Sequence, residues 1–259
     1  MLYTMPNGTT LEGREDIVAE GRDLFSWENY KLSLPNFSPG GDPAHCAGAA
    51  MGLCKVHGHE CEACGLVFRC YDKWSAIYRK QIPPRRRVQA AWFRKASPAE
   101  FVVALMWNRR APRSEAQQFR FSAGAEVKAQ WQIVKMGRVA DLLSDLFGIS
   151  AAVYSTRSDL DWTPRGALVL NASGWGTPGV DCDNRVDVPC VCGHDGPGTC
   201  SGACGDPADG GCDWCYTRGG RSIRIQYHNS VFNGTNGPKY RARLERQAFE
   251  YAAARIAIG

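Results

Sequence analysis

Long apolar runs are missing from this chain. The longest stretches, such as "FVVALMW" at 101–107, are far too short to span a bilayer. The opening residues, "MLYTMPNGTTLEGRED", hold no apolar segment of the kind a secretory signal needs. Both gaps argue against a membrane and set the expectation of a reducing cytoplasm. Persistent disulfides are rare there. The Asn-x-Ser/Thr matches at Asn7, Asn36, Asn171 and Asn233 then read as chance. Neither sign of charge is in large excess: the net charge is +5 and the sequence pI about 8.6. That balance permits a polyanionic partner without demanding one. No internal repeat is found.

Cysteine is absent from residues 71–181. All 12 cysteines fall into two groups, at 46–70 and 182–215. A disulfide-rich secreted domain spreads its cysteines along the chain, whereas dense groups with C-x-x-C spacing in a reducing compartment point to metal. The first group offers a compact triplet, Cys61, Cys64 and Cys70, within "HECEACGLVFRCYDKW". Cys46, Cys54, His57 and His59 are further donors. The second group holds Cys190 and Cys192, Cys200 and Cys204, and Cys212 and Cys215, with Cys182, His194 and His228 nearby. Four such ligands close a structural zinc site. Three cysteines can hold an iron–sulfur cluster that keeps one iron open. Spacing alone leaves both metals in play.

Apolar content of 44% and charged content of 22% are those of a folded protein. Residues 1–45 read as an irregular lead-in. "YDKWSAIYRKQIPPRRRVQAAWFRK" (71–95) reads as two helical stretches broken at Pro83-Pro84. Ser97 followed by Pro98 marks a helix start. Residues 117–123, 149–156, 166–173 and 221–228 carry strand patterns. Between the first two of these, 126–148 has helical spacing with Gly148 as its C-cap. This alternation is the grammar of a parallel α/β structure. Such sheets gather functional residues at the carboxyl ends of their strands. The expected division is therefore a lead-in at 1–45, an α/β core with the first cysteine group at 46–179, a cysteine-rich segment at 180–228, and a closing helix at 229–259. The 180–220 stretch has so little aliphatic content that a metal is expected to order it.

The order of motifs resembles a phage and mobile-element family known as gene product 88. "CEACGLVFRCYDKW", "FRFSAGAEV", "AVYSTRSDLDW" and "CSGACGDPADGGCDWCY" stand in the family's order, across roughly residues 45–228. That family is distantly similar to radical-SAM enzymes. The resemblance implies a partial β/α barrel with a cysteine-rich metal-binding C-terminal segment. It implies a [4Fe-4S] cluster on Cys61, Cys64 and Cys70, with S-adenosylmethionine bound near Ser122, Gly124 and Glu126. Glu126 is then the carboxylate that grips the ammonium, and Arg157 the partner of an anion. Two positions depart from the pattern. The triplet is C-x2-C-x5-C where radical-SAM enzymes have C-x3-C-x2-C, and S-A-G-A-E stands where the family has H-x-S-G-D.

Arg85, Arg86, Arg87, Arg94 and Trp92 combine cations for phosphates with an aromatic face for an unpaired base. The leading expectation is thus an iron–sulfur enzyme that modifies a nucleic acid or nucleotide. A second is a deazaguanine-type base-exchange enzyme with a zinc site, suggested by "SAGAE" and Cys190-x-Cys192. A third is a non-enzymatic, zinc-stabilised nucleic-acid-binding protein. All three require reduced cysteines. Thiol counting on denatured, metal-stripped protein without reductant is expected to find most of the 12 cysteines free; a count near zero rules out all the metal readings.

Overall fold

The computed structural model describes residues 1–27, 35–39, 81–108, 118–121, 127–155, 157–173, 175–187 and 214–224. The chain opens with an antiparallel hairpin of β1 (Leu2–Thr4) and β2 (Thr10–Glu12), then α1 (Glu15–Gly21). Strands β3 (Ser26–Trp27) and β4 (Pro35–Phe37) follow, and then helices α2 (Ile82–Lys95) and α3 (Pro98–Met106). Next come β5 (Gln118–Phe121), α4 (Gln130–Phe147), β6 (Ser150–Ser155) and β7 (Val169–Ser173). β8 (Asn184–Asp187) and β9 (Arg221–Arg224) complete the described elements.

Among the described residues the main sheet has 7 strands in the order β3-β4-β5-β6-β7-β8-β9. β3 meets β4 antiparallel, and every later neighbour is parallel. The parallel part thus runs in sequence order, without the reversal that marks a doubly wound sheet.

Strand alternation sorts side chains onto two faces. Phe119, Phe121, Ala151, Val153, Leu170 and Ala172 point to one, where all four described helices pack in a single apolar core. Ala152, Val169, Val186 and Ile223 point to the other. There they meet Cys215 and Tyr216 of a short 3-10 turn at Trp214–Tyr216. The helices α2 to α4 bury Trp92, Phe93, Phe101, Ile133, Met136 and Leu143 completely. Gly137, in mid-α4, is required by contact: a Cβ there meets the Arg165 and Pro164 carbonyl oxygens at 2.7 and 2.8 Å.

Helix ends follow local chemistry. Ser97 caps α3, accepting from the Glu100 N–H at 3.1 Å, while Glu100 Oε2 accepts from the Ser97 N–H at 2.6 Å. Gly148 ends α4 at φ 66°, the left-handed conformation that favours glycine. The second of the two helical stretches expected over 71–95 is α2, and Pro83 and Pro84 lie in its first turn, where the missing N–H has no intrahelical partner to lose; the first stretch lies outside the described residues.

Two further expectations are corrected. Residues 1–27 and 35–39 are not an irregular lead-in. They supply a hairpin, a helix, two sheet strands and the buried Ile17, Val18, Phe25 and Phe37. Strands of two or three residues are too short to show alternation. Likewise 180–220 contains β8 and the Trp214–Tyr216 turn, so part of that segment is ordered by the sheet itself. The closing helix at 229–259 lies outside the described residues.

Glu100 fastens the amino-terminal region to α3. Its carboxylate is 3% exposed and accepts from Arg14 Nε at 2.8 Å, Arg14 Nη2 at 2.9 Å and the Arg14 N–H at 2.9 Å. The Arg14 hydrogen bond lowers its pKa from 4.5 to about 2, against the opposing effect of burial. A carboxyl whose folded pKa is depressed stabilises fully above its unfolded pKa and loses that contribution as pH falls through the folded one. Urea titrations are therefore expected to show stability falling between pH 4.5 and about 2. Glu100→Gln removes that part of the slope and costs about 2–3 kcal/mol at neutral pH; an unchanged slope refutes the coupling.

Candidate functional site

A parallel sheet gathers its carboxyl ends on one rim. Phe37 of β4 pairs with Phe121 of β5, Ser155 of β6 with Ala172 of β7, and Asp187 of β8 with Arg224 of β9. Chain connectivity places the first cysteine group after β4, residues 122–126 after β5, and the second group after β8. Cys61, Cys64, Cys70, Ser122, Gly124 and Glu126 lie outside the described residues, as do Cys190, Cys192, Cys200, Cys204 and Cys212.

The described residues at this rim are tightly organised. Gln132 of α4 donates to the Pro39 carbonyl at 2.9 Å, and its oxygen accepts from the Lys128 N–H at 2.7 Å and the Ala129 N–H at 3.2 Å. It therefore ties the exit of β4 to the start of α4. Arg157, beyond β6, donates from Nη1 to the Val127 carbonyl at 2.9 Å. Its Nε and Nη2 clasp Asp159 at 2.6 Å each, a bidentate pair that holds the Asp159 carboxyl below its ordinary range. The expectation that Arg157 and Glu126 face the same space involves a residue outside the described ones. The described hydrogen bonds of the Arg157 guanidinium are to Asp159 and to main-chain carbonyls, and they shape the rim.

The sheet face opposite the helices carries polar groups that sequence reasoning missed. The Arg120 guanidinium lies 4.5 Å from the centroid of the Tyr154 ring. Tyr154 packs against the small cluster that holds Cys215. Burial, reinforced by Cys215, pushes the Tyr154 pKa well above its ordinary value. Asn171 donates to the Cys215 carbonyl at 2.8 Å. Asn184 donates to Asn171 Oδ1 at 3.2 Å and to the Thr217 carbonyl at 2.9 Å. Ser150 donates to the Tyr216 carbonyl at 2.5 Å. These side chains seat the Trp214–Tyr216 turn on the sheet. The available signal was the alternation in "QFRF", which sets polar Gln118 and Arg120 on the face away from Phe119 and Phe121.

The basic helix also differs from expectation. Trp92 is fully buried and donates its indole N–H to the Ile17 carbonyl at 2.8 Å, so it stacks no base. Arg86 is 4% exposed, and Arg85 donates to the Asp23 and Phe25 carbonyls at 3.2 and 2.9 Å. Arg87 and Arg94 are exposed. The apolar rhythm of α2 explains the error: aromatic residues within a basic run face the core.

Among the described residues no group of three or more His, Cys, Asp or Glu is placed to hold a metal, and no helix is long and apolar enough to cross a membrane. Of the cysteines, Cys182 and Cys215 are described. Cys182 belongs to the helix-side core, and burial together with Asp181 and Asp183 pushes its thiol pKa up, which disfavours the ligating thiolate. Cys215 is 7% exposed on the opposite face. Compared with known proteins, the chain matches no family model, no curated protein and no solved structure.

The asparagine ladder gives a direct test. Asn171→Ala is expected to leave the buried Cys215 carbonyl without its donor and to cost about 1–3 kcal/mol. Chemical denaturation measures the loss; stability equal to wild type means the turn is held by other contacts.

Proposed function

We propose that the chain is an iron–sulfur enzyme of radical-SAM-like architecture that modifies a nucleic acid or nucleotide. One observation carries the reading. The pairing of Phe37 with Phe121 makes β4 and β5 adjacent, with their carboxyl ends level. The chain thus leaves β4 after Phe37 and β5 after Phe121 on neighbouring strands, roughly 5 Å apart; in sequence, Ser122–Glu126 follow β5 directly and Cys61, Cys64 and Cys70 come later in the segment that follows β4. In the family that the motifs resemble, these two stretches share one site. The sequence order of the parallel strands supports a partial barrel rather than a doubly wound sheet.

In this reading Cys61, Cys64 and Cys70 hold the cluster, and Ser122, Gly124 and Glu126 contact the amino acid end of S-adenosylmethionine. The bound pair supplies one-electron chemistry at an open iron. The described residues supply the frame: Gln132 fixes the exit of β4, and Arg157 fixes the chain at Val127. The second cysteine group is assigned a second metal, zinc or iron, with Cys190, Cys192, Cys200, Cys204 and Cys212 as its donors. Cys215 joins them only if that metal approaches the sheet face on which its sulfur lies. Arg87 and Arg94, both exposed on α2, are the cations proposed to meet a phosphate backbone.

Anaerobically purified wild type is expected to be brown and to contain iron. Cys64→Ala is expected to lose most of the iron of the first site. Reduced wild type with S-adenosylmethionine is expected to cleave it. Iron without cleavage retains the cluster and removes the radical chemistry. A colourless protein that holds only zinc removes the enzyme reading and leaves the zinc-stabilised alternatives.

A further inference from the structure

Residues 127–130 carry the chain from the segment after β5 into α4, and side chains hold them from two directions. From the β6 side, Arg157 Nη1 donates to the Val127 carbonyl at 2.9 Å. Gln130 and the Asp161 main chain exchange two hydrogen bonds, at 2.5 and 3.0 Å. From the β4 side the described tie is Gln132, which is 4% exposed. Its Oε1 accepts from the Lys128 and Ala129 N–H groups at 2.7 and 3.2 Å, and its Nε2 donates to the Pro39 carbonyl at 2.9 Å. Pro39 lies just past the end of β4.

The start of α4 asks only for the oxygen of this side chain. Ala129, at the N-cap, has no side-chain acceptor of its own. A carboxylate in place of the Gln132 amide would receive the same two N–H groups, with the helix macrodipole in its favour. What the glutamine adds is an N–H donor, and that donor reaches across to the exit of β4. A buried amide is retained where both of its ends are paired, and here the two ends pair with different parts of the rim. We infer that Gln132 is a positioning residue of the proposed site. It holds the exit of β4 against 127–130, which the chain enters directly from the segment after β5. Binding by one of these segments then depends on the place of the other: the one after β4, with Cys61, Cys64 and Cys70 in its sequence, and residues 122–126 after β5. This inference rests on the enzyme reading above and names a residue that acts through the main chain, without touching substrate or cofactor.

The test uses the full-length, metal-loaded protein and two variants. Gln132→Glu keeps the acceptor and loses the donor, and the two N–H groups at the helix start hold the introduced carboxylate ionised. Gln132→Met loses both. Amide hydrogen exchange is read over 36–38 and over 127–129, together with iron content, thermal unfolding and affinity for S-adenosylmethionine. Gln132→Glu is expected to exchange about tenfold faster over 36–38 and as wild type over 127–129. Its iron content and unfolding temperature are expected to match wild type, while its affinity for S-adenosylmethionine falls about tenfold. Gln132→Met is expected to exchange faster over both stretches, with at least the same loss of affinity; it decides the matter if Gln132→Glu does not fold. A role confined to capping α4 gives Gln132→Glu wild-type exchange over 36–38 and wild-type affinity, and either result overturns the inference. Wild type that binds S-adenosylmethionine no more tightly than Gln132→Glu does removes the positioning role and leaves the enzyme. Wild type without iron, or with iron and no affinity, removes the enzyme reading; exchange over 36–38 then decides the tie by itself, faster in Gln132→Glu for it and unchanged against it.

Discussion

The phenyl ring of Phe101 is the contact on which the sheet's geometry depends. It meets Phe25 at 5.1 Å, Phe37 at 5.0 Å, Trp92 at 5.6 Å, Phe93 at 5.6 Å, Phe119 at 5.8 Å and Phe121 at 5.6 Å between ring centroids. All seven rings are fully buried. Strands as short as β3 and β4 cannot be held by their ladder bonds alone. Aromatic pairs contribute about 0.5–1.5 kcal/mol each beyond area burial. Six such contacts from one residue of α3 press β4 against β5 and so set the rim. Trp92 takes part in the same packing and reaches α1 through its indole N–H. The expected role of that tryptophan in base stacking is incompatible with the task it performs here.

The two faces of the sheet meet different physical demands. The helix side is a single interlocked apolar core. The opposite side mixes a small apolar cluster with amides and a guanidinium. Polar groups are retained in such a place when each has a partner. Asn171 and Asn184 have theirs in the main chain of the 214–217 stretch. That stretch is tied to the sheet by side-chain amides, in the way a cap ties a helix end. The result is a stretch of chain fixed to the sheet by hydrogen bonds rather than by apolar burial alone.

Legibility in the sequence followed the length and regularity of each element. β5, α4, β6, β7 and β9 were readable, because alternation or helical spacing runs on for several residues and Gly148 marks an end. The α3 start was readable from Ser97 and Pro98. The amino-terminal strands were not, since Ser26–Trp27 and Pro35–Phe37 are too short for a period, and their places come from rings distant in sequence. β8 was hidden in a cysteine- and glycine-rich stretch whose composition suggested no core. For the site, Arg157 was found at the rim but its expected freedom to meet an anion was not, because Asp159 two residues on is a local partner that spacing could have revealed. Gln118 and Arg120 were overlooked because attention fell on the glycine-rich residues that follow them.

The faces also separate two cysteines that the sequence could not tell apart. Cys182 and Cys215 flank the same cysteine-rich segment. Cys182 turns towards the helices, where desolvation and two neighbouring aspartates oppose a thiolate. It behaves as a small apolar residue. Cys215 turns to the opposite side, where Tyr154 packs and the Arg120 guanidinium stacks on the tyrosine ring. Of the two, Cys215 is the one on the face that also carries Arg120.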